Sequence, residues 1–126
     1  MMKVTIKIPL LASGLLALSG LAQAAQVNLY TTREPVLIQP LLKEFTESSG
    51  IKVNTVFIKD GLLERVKAEG RRSPADVMLT VDFGNLVDLV EADLTQRVNS
   101  KVLNNAIPAN LRAANGHWYA LSMRAR

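Results

Sequence analysis

The chain has 126 residues, with 15 basic and 11 acidic side chains, a formal charge of +4 and no cysteine. Without cysteine it has no disulfide framework and no thiol near its N-terminus to carry a lipid. The basic excess shrinks once Lys3 and Lys7 are set aside. Its longest run is Arg71-Arg72 and no aromatic residues interleave with it, so nucleic acid is not an expected partner.

Lys3 and Lys7 lead into an apolar run, Ile8 to Leu21, broken by Ser13, Gly14, Ser19 and Gly20 and followed by Ala22-Gln23-Ala24. That run is 14 residues long, whereas a helix needs about 20 to span a bilayer. The pattern is that of a cleaved secretory signal covering residues 1–24. The expected mature chain begins at Ala25 and is not membrane-embedded. It keeps about 102 residues, the size of one small domain. A periplasmic location fits best. Charge is uneven along it: residues 25–93 hold 8 basic and 11 acidic side chains, and residues 94–126 hold 5 basic and none acidic.

Val27-Asn28-Leu29-Tyr30 alternates as a strand does, and Thr31-Thr32 ends it. Pro35 suits the first turn of a helix, and Thr31 with Glu34 three residues on has capping-box spacing. Arg33 sits inside this turn. A helix N-terminus offers unpaired N–H groups and partial positive charge, so Thr31, Thr32 and Arg33 form a candidate anion-binding turn. The competing reading is a capped helix with a solvated arginine.

Leu37, Ile38, Leu41, Leu42 and Phe45 then recur at helical spacing as one apolar stripe. Pro40 predicts a kink, or a helix regular only after it. Gly50 is placed for a left-handed C-terminal cap. Ile51 to Phe57 reads as a second strand, Lys59-Asp60-Gly61 as a turn, and Leu62, Leu63 and Val66 as the inner face of a second helix. Glu64, Arg65 and Lys67 fall on its outer face, and Gly70 closes it. Ala75 to Thr80 is a third strand, whose centre, Val77 to Leu79, predicts burial on both faces. Asp82 is the expected N-cap of a third helix with Leu86, Leu89 and Val90 inward. Beyond Asn99, Val102 and Leu103 suggest a short helix, Ile107 to Asn110 a connector, and Trp118 to Met123 a fourth strand after the Asn115-Gly116 turn.

This β-α-β-α-β-α order predicts an α/β fold, a parallel sheet with right-handed crossovers and helices on both faces in three layers. Its three strand-to-helix turns, Tyr30 to Arg33, Lys59 to Gly61 and Thr80 to Asp82, then share the carboxyl edge where open α/β sheets bind ligands. Tyr30, Glu34, Asp60 and Asp82 are the candidate side chains of that edge. Packing is the competing role for Tyr30, and helix capping for Asp60 and Asp82. His117 reads as a turn or strand-start residue with no obvious partner. No nucleophile elbow, dinucleotide fingerprint, phosphate loop or zinc-protease motif occurs. A carboxylate at Asp82 just past strand three suits a receiver-like phosphoacceptor. That chemistry also needs acidic residues after strand one to hold a divalent cation, where Tyr30, Thr31 and Thr32 stand.

Val27 to Glu34, Gly50 to Val53, Ser73 to Val77, Ile107-Pro108-Ala109-Asn110-Leu111-Arg112 and Gly116 to Arg126 together resemble the periplasmic ferric-iron-binding proteins of ABC importers. The Ile-Pro-Ala-Asn-Leu-Arg to Gly-His-Trp block is the most specific part, and the likeness spans essentially the whole mature chain. It implies a two-lobed clamp, monomeric at full length, that closes on Fe(III) with carbonate or a similar anion and delivers it to a membrane permease. On this reading residues 25–126 form the N-terminal part of the first lobe. The family's main metal ligands are tyrosines from later in the chain, including an adjacent pair. Here the tyrosines are Tyr30 and Tyr119, and no pair is present. The expectation is therefore that these 126 residues alone bind Fe(III) poorly. Some members place a histidine after the strand-one turn and a carboxylate after strand three. Glu34 and Val81 stand there, which favours the branch in which an arginine-held anion completes the site, with Arg33 in that role. Polyamine, thiamine and oxyanions are the alternative ligands that the shared lobe architecture admits.

Overall fold

The computed structural model describes residues 24–123; the expected signal segment and the final Arg124-Ala125-Arg126 lie outside them, apart from Ala24. Strand β1 is Gln26–Thr31, β2 is Lys52–Phe57 and β3 is Val77–Leu79. They pair in the order β2-β1-β3, both pairings parallel, so β1 is the central strand. Helix α1 (Pro35–Ser49) connects β1 to β2, and α2 (Leu62–Glu69) leads from β2 towards β3 through a 3-10 turn at Gly70–Arg72. Helix α3 (Phe83–Glu91) follows β3, and α4 (Lys101–Ala106) and a 3-10 turn at Ala109–Leu111 come after it.

Period-two alternation in β1 sorts its side chains between two layers. Tyr30 lies beside Val56 of β2 and Met78 of β3 in the ladder. With Ile58, Leu62, Val66 and Leu89 it forms the main core, roofed by α2 and α3. Leu29 and Thr31 face the other way, on the side where α1 packs against β2. The helices therefore cover both faces of a parallel sheet, as the alternation predicts.

The helix ends follow local chemistry. Pro35 is the first residue of α1, where its missing N–H costs nothing. Gly50 closes α1 at φ +72°, with its N–H donating to the Thr46 carbonyl. At the start of α3, the Asp82 carboxylate accepts from the Asn85 N–H at 2.9 Å.

Of the two outcomes expected at Pro40, a helix that starts properly only after it is not found: α1 runs from Pro35 to Ser49 with Pro40 inside it. Three expectations need correction. The α1 stripe is only partly used: Ile38 is buried, while Leu37, Leu41 and Phe45 are exposed. Their spacing marks an apolar face but says nothing about whether a partner covers it. Val77 is 49% exposed rather than buried on both faces, because β3 is a three-residue edge strand beside β1 alone. Residues 118–123 do not form a strand. One antiparallel bridge joins Tyr119 to Arg112, flanked by bonds from Ala113 N–H to the Trp118 carbonyl and from Ala120 N–H to the Leu111 carbonyl.

Leu89 is 1% exposed at the centre of the core, so Leu89→Ala should cost about 2–5 kcal/mol. Val77→Ala, on the half-open edge strand, should cost roughly 1 kcal/mol or less. Urea unfolding monitored by Trp118 fluorescence compares them; equal losses would contradict this placement of the core.

Candidate functional site

The carboxyl edge of the sheet is held together by two consecutive threonines at the end of its central strand. Thr31 is fully buried. Its carbonyl accepts from the Ile58 N–H at 2.8 Å and so ties in the turn after β2. Its hydroxyl accepts from the Arg33 N–H at 2.9 Å, folding the turn back on itself. Thr32 reaches the opposite way. Its N–H donates to the Leu79 carbonyl at 3.1 Å, and its hydroxyl accepts from the Val81 N–H at 3.0 Å. All three turns are joined through this one dipeptide.

Thr31 does not cap α1 as the capping-box spacing predicts. Glu34 occupies the N-cap position with no side-chain cap, and the Thr31 hydroxyl is held by Arg33 two residues on. A threonine buried at the end of a central strand meets its own turn before it can reach the helix. The threonine hydroxyls and the Arg33 N–H are thus engaged internally. Among the described residues the ion pairs are Lys43–Glu47 and Arg65–Glu69, and Arg33 belongs to neither.

The other candidates divide. Glu34 is exposed beside Arg33 at the mouth of the turn. Asp60 is exposed and does not cap α2, whose N-cap position is Gly61 at φ +80°. Asp82 does cap α3, and both its oxygens face Asn85, one accepting the backbone N–H and the other the side-chain amide at 2.7 Å. Tyr30 is not a surface group of the edge: it is 1% exposed. Helix α2 starts at the carboxyl edge and runs back under the sheet, and the phenol follows it down to donate to Glu69 Oε1 at 2.9 Å.

That contact belongs to a network that the residue pattern only hinted at. Arg65 lies on the outer face of α2 by periodicity, yet its guanidinium sits 5.0 Å from the centre of the Tyr30 ring and its Nε donates to Glu69 Oε1 at 3.0 Å. The Ser73 hydroxyl donates to the other Glu69 oxygen at 2.7 Å. The i,i+4 spacing of Arg65 and Glu69 was the legible signal. Burial first, then the Glu69 carboxylate, pushes the Tyr30 phenol above its ordinary value. The Ser73 hydroxyl, joined by Arg65 and Tyr30, holds Glu69 below its own.

Towards the end of the chain, His117 does have a partner: its Nδ1 lies 2.8 Å from the Thr95 hydroxyl. Trp118 meets Phe83 edge to face, with ring centroids 5.1 Å apart. The Tyr119 hydroxyl donates to the Val98 carbonyl at 2.9 Å. Both tyrosines are therefore bonded inside the protein.

A parallel α/β unit with its turns gathered on one polar edge is the layout of an open-sheet binding protein. No protein-family model matches the chain. It is 43% identical over 102 residues to iron uptake protein A1 of Synechocystis sp., covering 80% of this chain and 28% of that protein. It is 30% identical over 122 residues to the Fe(3+)-binding periplasmic protein of Serratia marcescens, covering 93% of this chain and 36% of that one. Among solved structures, Bordetella ferric binding protein superposes with a TM-score of 0.75 at 67% identity, over 77% of this chain and 31% of that chain. A Trichodesmium protein in complex with iron and citrate gives 0.71 at 45% identity, over 75% and 30%. The chain belongs to the family of periplasmic ferric iron-binding proteins. It spans about a third of the length of these relatives.

Because the folded-state pKa of Tyr30 is raised above its unfolded value of about 10, neutral Tyr30 contributes stability that is complete below that pH. This stability is lost as the pH climbs through the folded-state value. Urea midpoints measured from pH 8 to 11 should fall more steeply for the native chain than for Tyr30→Phe. Identical slopes would contradict the buried phenol.

Proposed function

We propose that these residues form part of the first lobe of a periplasmic substrate-binding protein that carries ferric iron to an ABC importer permease. The observation that carries the reading is kinship with ferric iron-binding proteins across nearly all the described residues, joined to a carboxyl edge on which Arg33 has no ion pair among the described residues. In this reading the Arg33 guanidinium holds a synergistic anion such as carbonate, which completes the coordination of Fe(III) as the clamp closes. A guanidinium suits a planar oxyanion because its fork of N–H groups matches two oxygens at once. Exposed Glu34 lies beside it.

The metal's own ligands lie elsewhere in this reading. Fe(III) is a hard trivalent cation that takes several anionic oxygens converging on one point. Among the described residues no group of three His, Asp or Glu side chains does so. Tyr30 is sealed in the core and the Tyr119 hydroxyl is bonded to Val98. Oxygen donors from a second lobe would supply the site, and closure of two lobes around a ligand is the motion such clamps use. A lobe for another small ligand would share this fold, and it is the kinship with iron proteins that favours Fe(III).

Ferric citrate with bicarbonate, added to the 126-residue chain, should give no visible phenolate-to-iron charge-transfer band and no rise in melting temperature. A coloured complex with a raised melting point would contradict this division of labour. In the same chain joined to the second lobe of a relative, Arg33→Ala should weaken iron binding mainly when bicarbonate is present. Unchanged bicarbonate dependence would return Arg33 to the solvated surface.

A further inference from the structure

Past Asp93 the chain carries no carboxylate side chain, and two of its arginines meet at one small pocket. The pocket holds about 50 Å³ and lies between the segment leading into α4 and the turn at 112–119. Arg97, Asn104, Arg112, Asn115, Gly116 and Tyr119 are among the residues that line it. None of its lining belongs to the three turns of the sheet edge. One water needs about 10–15 Å³ by the same measure, so the space matches three to five oxygen-sized groups.

The hydrogen-bond pattern decides what such a space can hold. Four of the acceptors among its lining residues are engaged. Asn104 Oδ1 receives Arg112 Nη1 at 3.2 Å. Asn115 Oδ1 receives the His117 N–H at 3.3 Å. The Val98 carbonyl receives the Tyr119 hydroxyl, and the Gly116 carbonyl receives the Val98 N–H at 2.9 Å. Donors are left over. With its oxygen engaged, each asparagine offers its NH₂ group. Arg112 uses Nε on the Ile107 carbonyl and Nη1 on Asn104, which leaves the rest of its fork. Arg97 takes part in neither ion pair among the described residues. Two positive charges and surplus donors, with every named acceptor engaged, form a site of anion polarity.

Gly116 makes the geometry possible. It sits at φ +75°, and a Cβ there would lie 2.6 Å from the Val98 carbonyl oxygen and 3.5 Å from the Tyr119 hydroxyl. Only glycine lets the turn close on Val98 and shape the pocket.

We propose that this pocket binds a free tetrahedral oxyanion, phosphate or sulfate, at a site separate from the sheet edge and independent of iron. The Arg97 and Arg112 guanidiniums supply the charge, and the Asn104 and Asn115 amides the remaining directional bonds. Charge-assisted bonds of this kind are the strong ones.

The test is calorimetric titration of the 126-residue chain with inorganic phosphate, with chloride at matched ionic strength as the reference. Phosphate should bind saturably. Arg97→Gln, at an exposed residue, should weaken it by about tenfold or more. Asn115→Asp should also abolish most of the affinity, because it keeps the acceptor for the His117 N–H but replaces the donor facing the anion with a negative oxygen. Arg33→Ala should leave phosphate binding unchanged, which separates this site from the proposed iron-linked anion. Loss of binding in Arg33→Ala with retention in Arg97→Gln would overturn the proposal, as would a phosphate response no larger than that to chloride.

Discussion

The end of β1 is the constraint on which the rest of this structure depends. A central parallel strand must pass its neighbours' hydrogen bonds on both sides and then turn sharply into a helix. Here Thr31 serves the β2 side and its own turn, and Thr32 serves the β3 side through both its N–H and its hydroxyl. A buried backbone or hydroxyl group left unpaired costs about 1–3 kcal/mol. Satisfying all of these groups within two residues fixes how the three turns lie against one another. The polar edge is therefore a built surface rather than a chance gathering of loops.

Beneath it, the core sets the orientation of Tyr30, the large aromatic side chain near the end of β1. Tyr30 points along α2 towards Glu69, between Arg65 and the sheet, and its hydroxyl is engaged. The phenol that could attract a hard cation is thus turned into the protein, while Arg33 at the edge is half-buried and belongs to neither ion pair of the described residues.

Much of this was legible in the sequence because its causes are local. Strand and helix alternation, Pro35 at a helix start, Gly50 in a left-handed cap and Asp82 bonded to Asn85 each follow from a few neighbouring residues. What could not be read involved a partner distant in the chain. The bond from the Val81 N–H to Thr32 spans 49 positions and has no spacing rule behind it. The direction of Tyr30 depends on where α2 ends. Trp118 to Met123 carries the composition of a strand, yet a strand exists only where a neighbour pairs with it, and Arg112 pairs with Tyr119 alone. The same reasoning explains α1, where periodicity identified an apolar face and the fold decided that Ile38, not Leu37 or Leu41, is buried. Kinship with iron-binding proteins came from motifs along the chain, above all Ile107 to Arg112 and Gly116 to Trp118, which report ancestry rather than geometry.

Native-state hydrogen exchange of individual amides tests the central claim most directly. The N–H groups of Arg33, Ile58 and Val81 lie in turns, where exchange is ordinarily fast, but each donates to the Thr31-Thr32 pair. They should be protected to the level of the β1 ladder and lose that protection together. Rapid, independent exchange at these three positions would mean that the turns move separately and that no preformed edge exists for a ligand to meet.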